Sequence, residues 1–262
     1  PYHIIDMGPC PYRLDIKIPQ RRSLHPCRHG QADSAKCITF EKTDIHNQLK
    51  KNIMKRLEGN VTIITGGGKG IGYGLAQAFA EAGSNLVITG RTLSRLESAK
   101  DRLEAEYGVK VLPIVADGAD EEAIKNVVAK TVAEFGKINT LVNNAQVSKS
   151  GLPLVEHTRE DFDLAIYSGL YAAFFYMREC HPYLKEAKGS VINFASGAGL
   201  FGKLGQSSYA AAKEGIRGLS RVAAAEWGPD GIRVNVICPL AMTESLQEWK
   251  VNYPELFEKT IQ

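Results

Sequence analysis

From residue 61 to residue 237 the chain repeats one alternation: a short run rich in β-branched residues, then a longer stretch with helical periodicity. Residues 61–65, 86–89, 110–115, 140–142, 190–194 and 233–237 read as strands. Residues 70–82, 92–106, 119–135, 158–185 and 206–227 read as the helices between them. A strand that feeds a helix cannot return as a hairpin, so the next strand lies parallel to it after a right-handed crossover. The pattern therefore predicts an α/β protein with a doubly wound parallel sheet covered on both faces. Local signals agree with it. Thr158-Arg-Glu-Asp161 has the spacing of a capping box, with Asp in place of the usual Glu. Gly228-Pro229 stops the helix that ends at Trp227. The sequence has no internal repeat and no low-complexity tract.

Composition excludes several classes. The 262 residues are 44% hydrophobic and 23% charged, as in an ordinary globular protein. No apolar run approaches the ~20 residues of a membrane span, and no charged, apolar and small-residue succession marks a secretory signal. Cys10, Cys27, Cys37, Cys180 and Cys238 are odd in number and form no CxxC pair, which argues against a disulfide framework or a zinc site. A reducing cytoplasm is the expected setting. Residues 1–53 carry nine Lys/Arg against five Asp/Glu, and the remainder is slightly acidic, so the core gives no reason to expect nucleic acid as a partner.

That first segment reads differently from the rest. Pro1, Pro9, Pro11, Pro19 and Pro26 interrupt it, and it shows neither the strand nor the helix period. His25, Cys27, His29 and Cys37 fit no trustworthy metal-ligand spacing, so no metal is expected. Residues 1–53 are expected to be a disordered or poorly packed extension. Met54-Lys-Arg-Leu-Glu-Gly59 reads as the natural beginning of a single domain over residues 54–262.

The first strand runs directly into Thr65-Gly-Gly-Gly-Lys-Gly-Ile-Gly72, which opens a helix. Glycines there let the backbone approach a pyrophosphate, and free N–H groups at the helix start hold the anion. The spacing is neither GxGxxG nor a Walker A loop, since Lys69 is followed by Gly70. The second strand ends Thr89-Gly90-Arg91 with no acid at its turn. An acid there would bond an adenosine 2′-hydroxyl, whereas Arg91, aided by Lys69, suits a 2′-phosphate. NADP(H) is the preferred reading and NAD(H) the second.

Tyr209-Ala-Ala-Ala-Lys213 puts a phenol and an ammonium on one helical face, and Ser196 ends the preceding strand 13 residues upstream. With the glycine turn (Thr65, Gly66, Lys69, Gly70, Ile71, Gly72), with Asn143-Asn-Ala145 and with Pro239, these residues resemble the short-chain dehydrogenase/reductase family over residues 57–243. The resemblance implies a Rossmann-like fold and interconversion of a carbonyl and an alcohol on a small molecule. Tyr209 would exchange the proton and Ser196 would hold the substrate oxygen. Lys213 would lower the phenol's pKa from its ordinary ~10 and bond the nicotinamide ribose. Asn143, Ala145 and Asp117 would line the adenosine side, with Asp117 toward the adenine amine. A homo-oligomer is also implied.

Three positions depart from the family pattern. Gln146 replaces the Gly of Asn-Asn-Ala-Gly, and Leu240 replaces the Gly of Pro-Gly. Gly169 stands where many members carry an Asn that anchors a proton-relay water. A water on backbone carbonyls is one substitute, with Ser168 pointing elsewhere, and proton exchange is expected to be slower or differently routed. A non-catalytic nucleotide-binding sensor or scaffold of the same fold stays open as the alternative. Residues 254–262 read as a small helix over the substrate site, and the family's C-terminal strand is expected to be missing, leaving 233–237 as an open edge. The loops at 147–157, 197–205 and 240–262 carry nothing that identifies a substrate.

Overall fold

The computed structural model describes residues 56–239 and 244–261. Its strands are β1 (Val61–Thr65), β2 (Asn85–Gly90), β3 (Val111–Val115), β4 (Thr140–Asn143), β5 (Ser190–Phe194) and β6 (Arg233–Ile237). They form one sheet in the order β3-β2-β1-β4-β5-β6 with every pairing parallel. The crossovers are α1 (Gly70–Glu81), α2 (Leu93–Tyr107), α3 (Glu121–Phe135), α4 (Arg159–Ala165) continuing into α5 (Ala172–Ala187), and α7 (Ser207–Trp227). The expected doubly wound parallel sheet is what the chain forms.

Alternation along each strand feeds two cores. Val61 and Ile63 of β1, Val87 of β2 and Leu141 of β4 pack with α3, α5 and α7 through Val127, Tyr176, Cys180 and Ala223. Ile64, Leu86, Ile88 and Val142 point the other way, onto Ala76 and Ala80 of α1 and Leu96 and Leu103 of α2. In β6 exposed residues alternate with partly buried ones, as on an edge strand of the described sheet.

The helix starts follow the sequence. Asp120 accepts from the N–H groups of Glu122 and Ala123, and caps α3. Thr158 and Asp161 form the reciprocal capping box of α4. Two differences concern the helices. The stretch expected as one helix over 158–185 is broken by a π-helical segment at Ile166–Tyr171, between α4 and α5. A short helix α6 (Gly197–Phe201) also fills what reads as loop, because the Ser196 hydroxyl caps it by accepting from the Ala198 N–H at 3.1 Å. Helices α8 (Glu244–Asn252) and α9 (Pro254–Ile261) follow β6. No helix of the described residues is long and apolar enough to cross a membrane. The residues 1–53 extension, with His25, Cys27, His29 and Cys37, lies outside the described residues.

Candidate active site

The strand order reverses between β1 and β4, and a cleft opens there at the carboxyl ends of the strands. One wall is the Thr65–Gly72 turn. Gly66 sits at φ +71°, the left-handed region that glycine adopts without cost. Gly72 cannot carry a side chain, because a Cβ would lie 2.2 Å from the Gly66 carbonyl oxygen. Thr65 is the stitch of this wall: its hydroxyl accepts from the N–H groups of Asn144 at 3.0 Å and Ala145 at 2.9 Å. Helix α1 starts at the cleft without a side-chain cap, and Gly70, Ile71 and Gly72 line it. Uncapped N–H groups beside a turn with no side-chain bulk fit a pyrophosphate.

The far end of the cleft is cationic. Lys69, Arg91 and Arg95 line it and are exposed, and none is ion-paired among the described residues. Arg95, in the first turn of α2, escaped the sequence reading; its position one helical turn beyond Arg91 was the available signal. Asp117 and Ala145 also line the cleft, Asp117 with one oxygen engaged by the Ala119 N–H at 3.0 Å. Two expected residues are not brought to the wall. Asn143 is buried in the sheet and donates to Asn193 Oδ1 at 2.8 Å, so its successor Asn144 faces the cleft and donates to the Thr65 carbonyl at 2.9 Å. Successive residues leaving a strand point to opposite sides, which is why one Asn is turned in and the other out. Pro239, beyond β6, is partly buried outside the lining, and Leu240 lies outside the described residues.

The opposite end holds the phenol and the ammonium. Tyr209 and Lys213 both line the cleft from one face of α7, and the Tyr209 hydroxyl is hydrogen-bonded to the Ser196 side chain. Lys213 is 3% exposed, and its Nζ donates to the Phe194 carbonyl at 2.6 Å and lies 5.5 Å from the Tyr209 ring centre. Burial drives that amine from 10.5 down to about 7, since a low-dielectric site disfavours the ammonium. The same burial pushes the Tyr209 phenol up, and the Ser196 bond opposes it. In the chain by itself desolvation acts hardest on both groups, and Ser196 is the group that favours phenolate.

Helix α7 is fixed to the sheet by buried polar groups that the sequence reading did not single out. Asn193 of β5 donates to the Ser220 hydroxyl at 2.8 Å and accepts from Asn143. Arg217, one turn past Lys213, is 4% exposed, pairs with Glu214 at 3.0 Å and reaches the Ser196 carbonyl at 3.5 Å. Its spacing of four from Lys213 was the usable clue. Beyond Tyr209, three loops meet. The Gly151 N–H donates to the Gly205 carbonyl at 2.8 Å, Ser150 bonds Gln206 at 3.2 Å, and the Tyr253 ring rests on Gly151, where a Cβ would lie 2.7 Å from it. Leu154 and Val155 in a 3-10 turn, Leu200 and Phe201 on α6, and Leu204 after it stand exposed around this junction. Ser168 lines the cleft; its hydroxyl accepts from the Val147 N–H, and its single hydrogen can donate to the Leu164 carbonyl at 2.6 Å or the Val147 carbonyl at 2.9 Å.

A doubly wound sheet with a glycine cradle at its switch point defines the dinucleotide-binding class of α/β fold. The chain belongs to the short-chain dehydrogenase family, whose model matches residues 60–252. It is 62% identical to the 12alpha-hydroxysteroid dehydrogenase of Clostridium sp. over 210 residues, 78% of this chain and 81% of that protein. It is 37% identical to a 3-oxoacyl-[acyl-carrier-protein] reductase of Thermotoga maritima over 198 residues, 74% of this chain and 80% of that one. The crystal structure of levodione reductase superimposes with a TM-score of 0.73 at 34% identity, covering 78% of this chain and 81% of its own.

Proposed function

We propose that the chain interconverts a secondary alcohol and a ketone on a hydroxysteroid, with NADP(H) as hydride partner, in a reducing cytoplasm. Oxidation breaks one C–H and one O–H bond: a bound nicotinamide would supply the hydride acceptor, and Tyr209, as phenolate, would take the proton. The observation that carries this reading is the Tyr209 phenol, bonded to Ser196 and 5.5 Å (ring centre) from the Nζ of buried Lys213, at the end of the cleft opposite Lys69, Arg91 and Arg95. Ser196 holds the substrate oxygen beside the phenol. Lys213 exchanges its proton near neutral pH and reaches the ribose. Thr65, Gly66, Gly70, Ile71 and Gly72 take the pyrophosphate, and Ala145 and Asp117 the adenosine side. Lys69 and Arg91, reinforced by Arg95, take the 2′-phosphate.

The substrate class rests on two supports. The 62% identity is to a 12alpha-hydroxysteroid dehydrogenase, and the segment between Ser196 and Tyr209 leaves Leu200, Phe201 and Leu204 exposed, apolar surface that a steroid would cover. The test is oxidation of a 12α-hydroxysteroid with NADP⁺, followed at the nicotinamide absorbance, for the wild type and Tyr209→Phe. Turnover in the wild type and a loss of about 1000-fold or more in the variant, with cofactor binding kept, are expected. Wild-type turnover by Tyr209→Phe would overturn the mechanism.

A further inference from the structure

Gln146 and Gly169 read in the sequence as two separate departures, 23 positions apart. In the structure they are one feature. A Cβ built on Gly169 would lie 2.6 Å from Gln146 Cδ, 2.8 Å from its Oε1 and 2.9 Å from its Nε2. Three near-equal distances mean that the carboxamide lies flat on the glycine and fills the volume a side chain there would need. A side chain at 169 would have to push the Gln146 carboxamide out of this place.

The supports around the pair are specific. Gly169 belongs to the π segment Ile166–Tyr171, whose wider turn interrupts what would otherwise be one long helix. The neighbouring Ser168 clamps Val147, the residue after Gln146, through both its N–H at 3.0 Å and its carbonyl at 2.9 Å. That clamp fixes the entry of the glutamine from the β4 loop. The Gln146 amide nitrogen approaches the Ala165 carbonyl at 3.5 Å, which aims the other end of the carboxamide away from α4. Oε1, at that other end, is buried and has no hydrogen-bond partner among the described residues. A buried acceptor left unpaired loses its water without compensation, so a donor is expected to meet it. Gln146, Ser168, Tyr209 and Lys213 all line the same cleft.

We infer that Gln146 is a positioning residue for proton release: its carboxamide, lodged against Gly169, holds a water that links Lys213 to solvent. The inference rests on the dehydrogenase reading above. Each alcohol oxidised delivers one proton to Tyr209; that proton passes through Lys213 to the held water and leaves to bulk solvent, so the site returns to its starting state. Lys213, driven down to about 7 by burial, gives up and regains a proton readily at neutral pH. The water's acceptor side is thus supplied from the loop after β4, where the helix at Gly169 has no side chain to offer one.

The experiment compares wild type, Gln146→Met, Gly169→Asn and the double variant Q146G/G169N. Gln146→Met keeps the volume and removes the acceptor. It should lower kcat about 10-fold below pH 8 with KM values kept within about 2-fold, and imidazole buffer, which carries protons itself, should restore the rate. Gly169→Asn pushes the Gln146 carboxamide out of its place and should lower the melting temperature, with kcat falling as in Gln146→Met. Q146G/G169N, which moves the carboxamide to the helix, should recover both the melting temperature and most of kcat. Wild-type kcat with no imidazole response in Gln146→Met would reduce Gln146 to a space filler and overturn the inference. So would a double variant that melts like wild type yet stays as slow as Gln146→Met. A wild type without turnover on any alcohol overturns the dehydrogenase reading first, and this inference with it.

Discussion

Lys213 offers a direct measurement of what the site costs the fold. The amine is 3% exposed, bonds the Phe194 carbonyl at 2.6 Å and is pushed from 10.5 to about 7. Between those two values the unfolded chain carries a proton that the folded chain does not, so stability rises with pH across that window and is flat below it. Each pH unit inside the window is worth about 1.4 kcal/mol. From pH 7 to pH 9 the wild type should therefore gain about 2 kcal/mol from this one group, and at pH 7 the buried amine costs roughly 4 kcal/mol. Lys213→Met fills the same space with no charge and loses one hydrogen bond, worth about 1–2 kcal/mol. The variant should be more stable than wild type by about 2–3 kcal/mol at pH 7 and near parity at pH 9, while turnover collapses. Urea unfolding of both chains at the two pH values, read by circular dichroism, gives the comparison. The Cys180 thiol, which burial also pushes up, weakens both chains alike at high pH and cancels in the difference. A stability gap that is the same at pH 7 and pH 9 would refute the argument.

Gly72→Ala would put a methyl 2.2 Å from the Gly66 carbonyl oxygen, so titration calorimetry should show NADP(H) binding weakened at least 100-fold or abolished. Arg91→Asp places an acid at the end of β2, and the Kd ratio for NADPH against NADH should invert, with the wild-type preference fading at high salt; equal wild-type Kd values at low salt would contradict the assignment. Thr158→Ala removes the side-chain half of the α4 capping box and should cost about 1 kcal/mol in denaturant unfolding, with KM for the nucleotide unchanged.

How much of this was legible in the sequence follows from the range of each interaction. The alternation of β-branched runs and helical periods is a local property, and it dictated all the strands of the sheet to within a residue or two. The Thr158–Asp161 cap, the glycine turn and the Tyr209–Lys213 spacing are local as well, set by side chains three to seven residues apart. Tertiary structure decided whatever depends on residues remote in the chain. It turned Asn143 into the sheet toward Asn193 and Asn144 toward the cleft, a choice the repeated Asn-Asn pair cannot express. It buried Lys213 and partly buried Tyr209, so that desolvation acts hardest on both groups. It brought Gln146 onto Gly169 across 23 positions, and it broke the long helix at the π segment beside them. Sequence carries the propensities of neighbours; only the packed chain sets which groups lose water and which distant side chain fills a glycine's empty place.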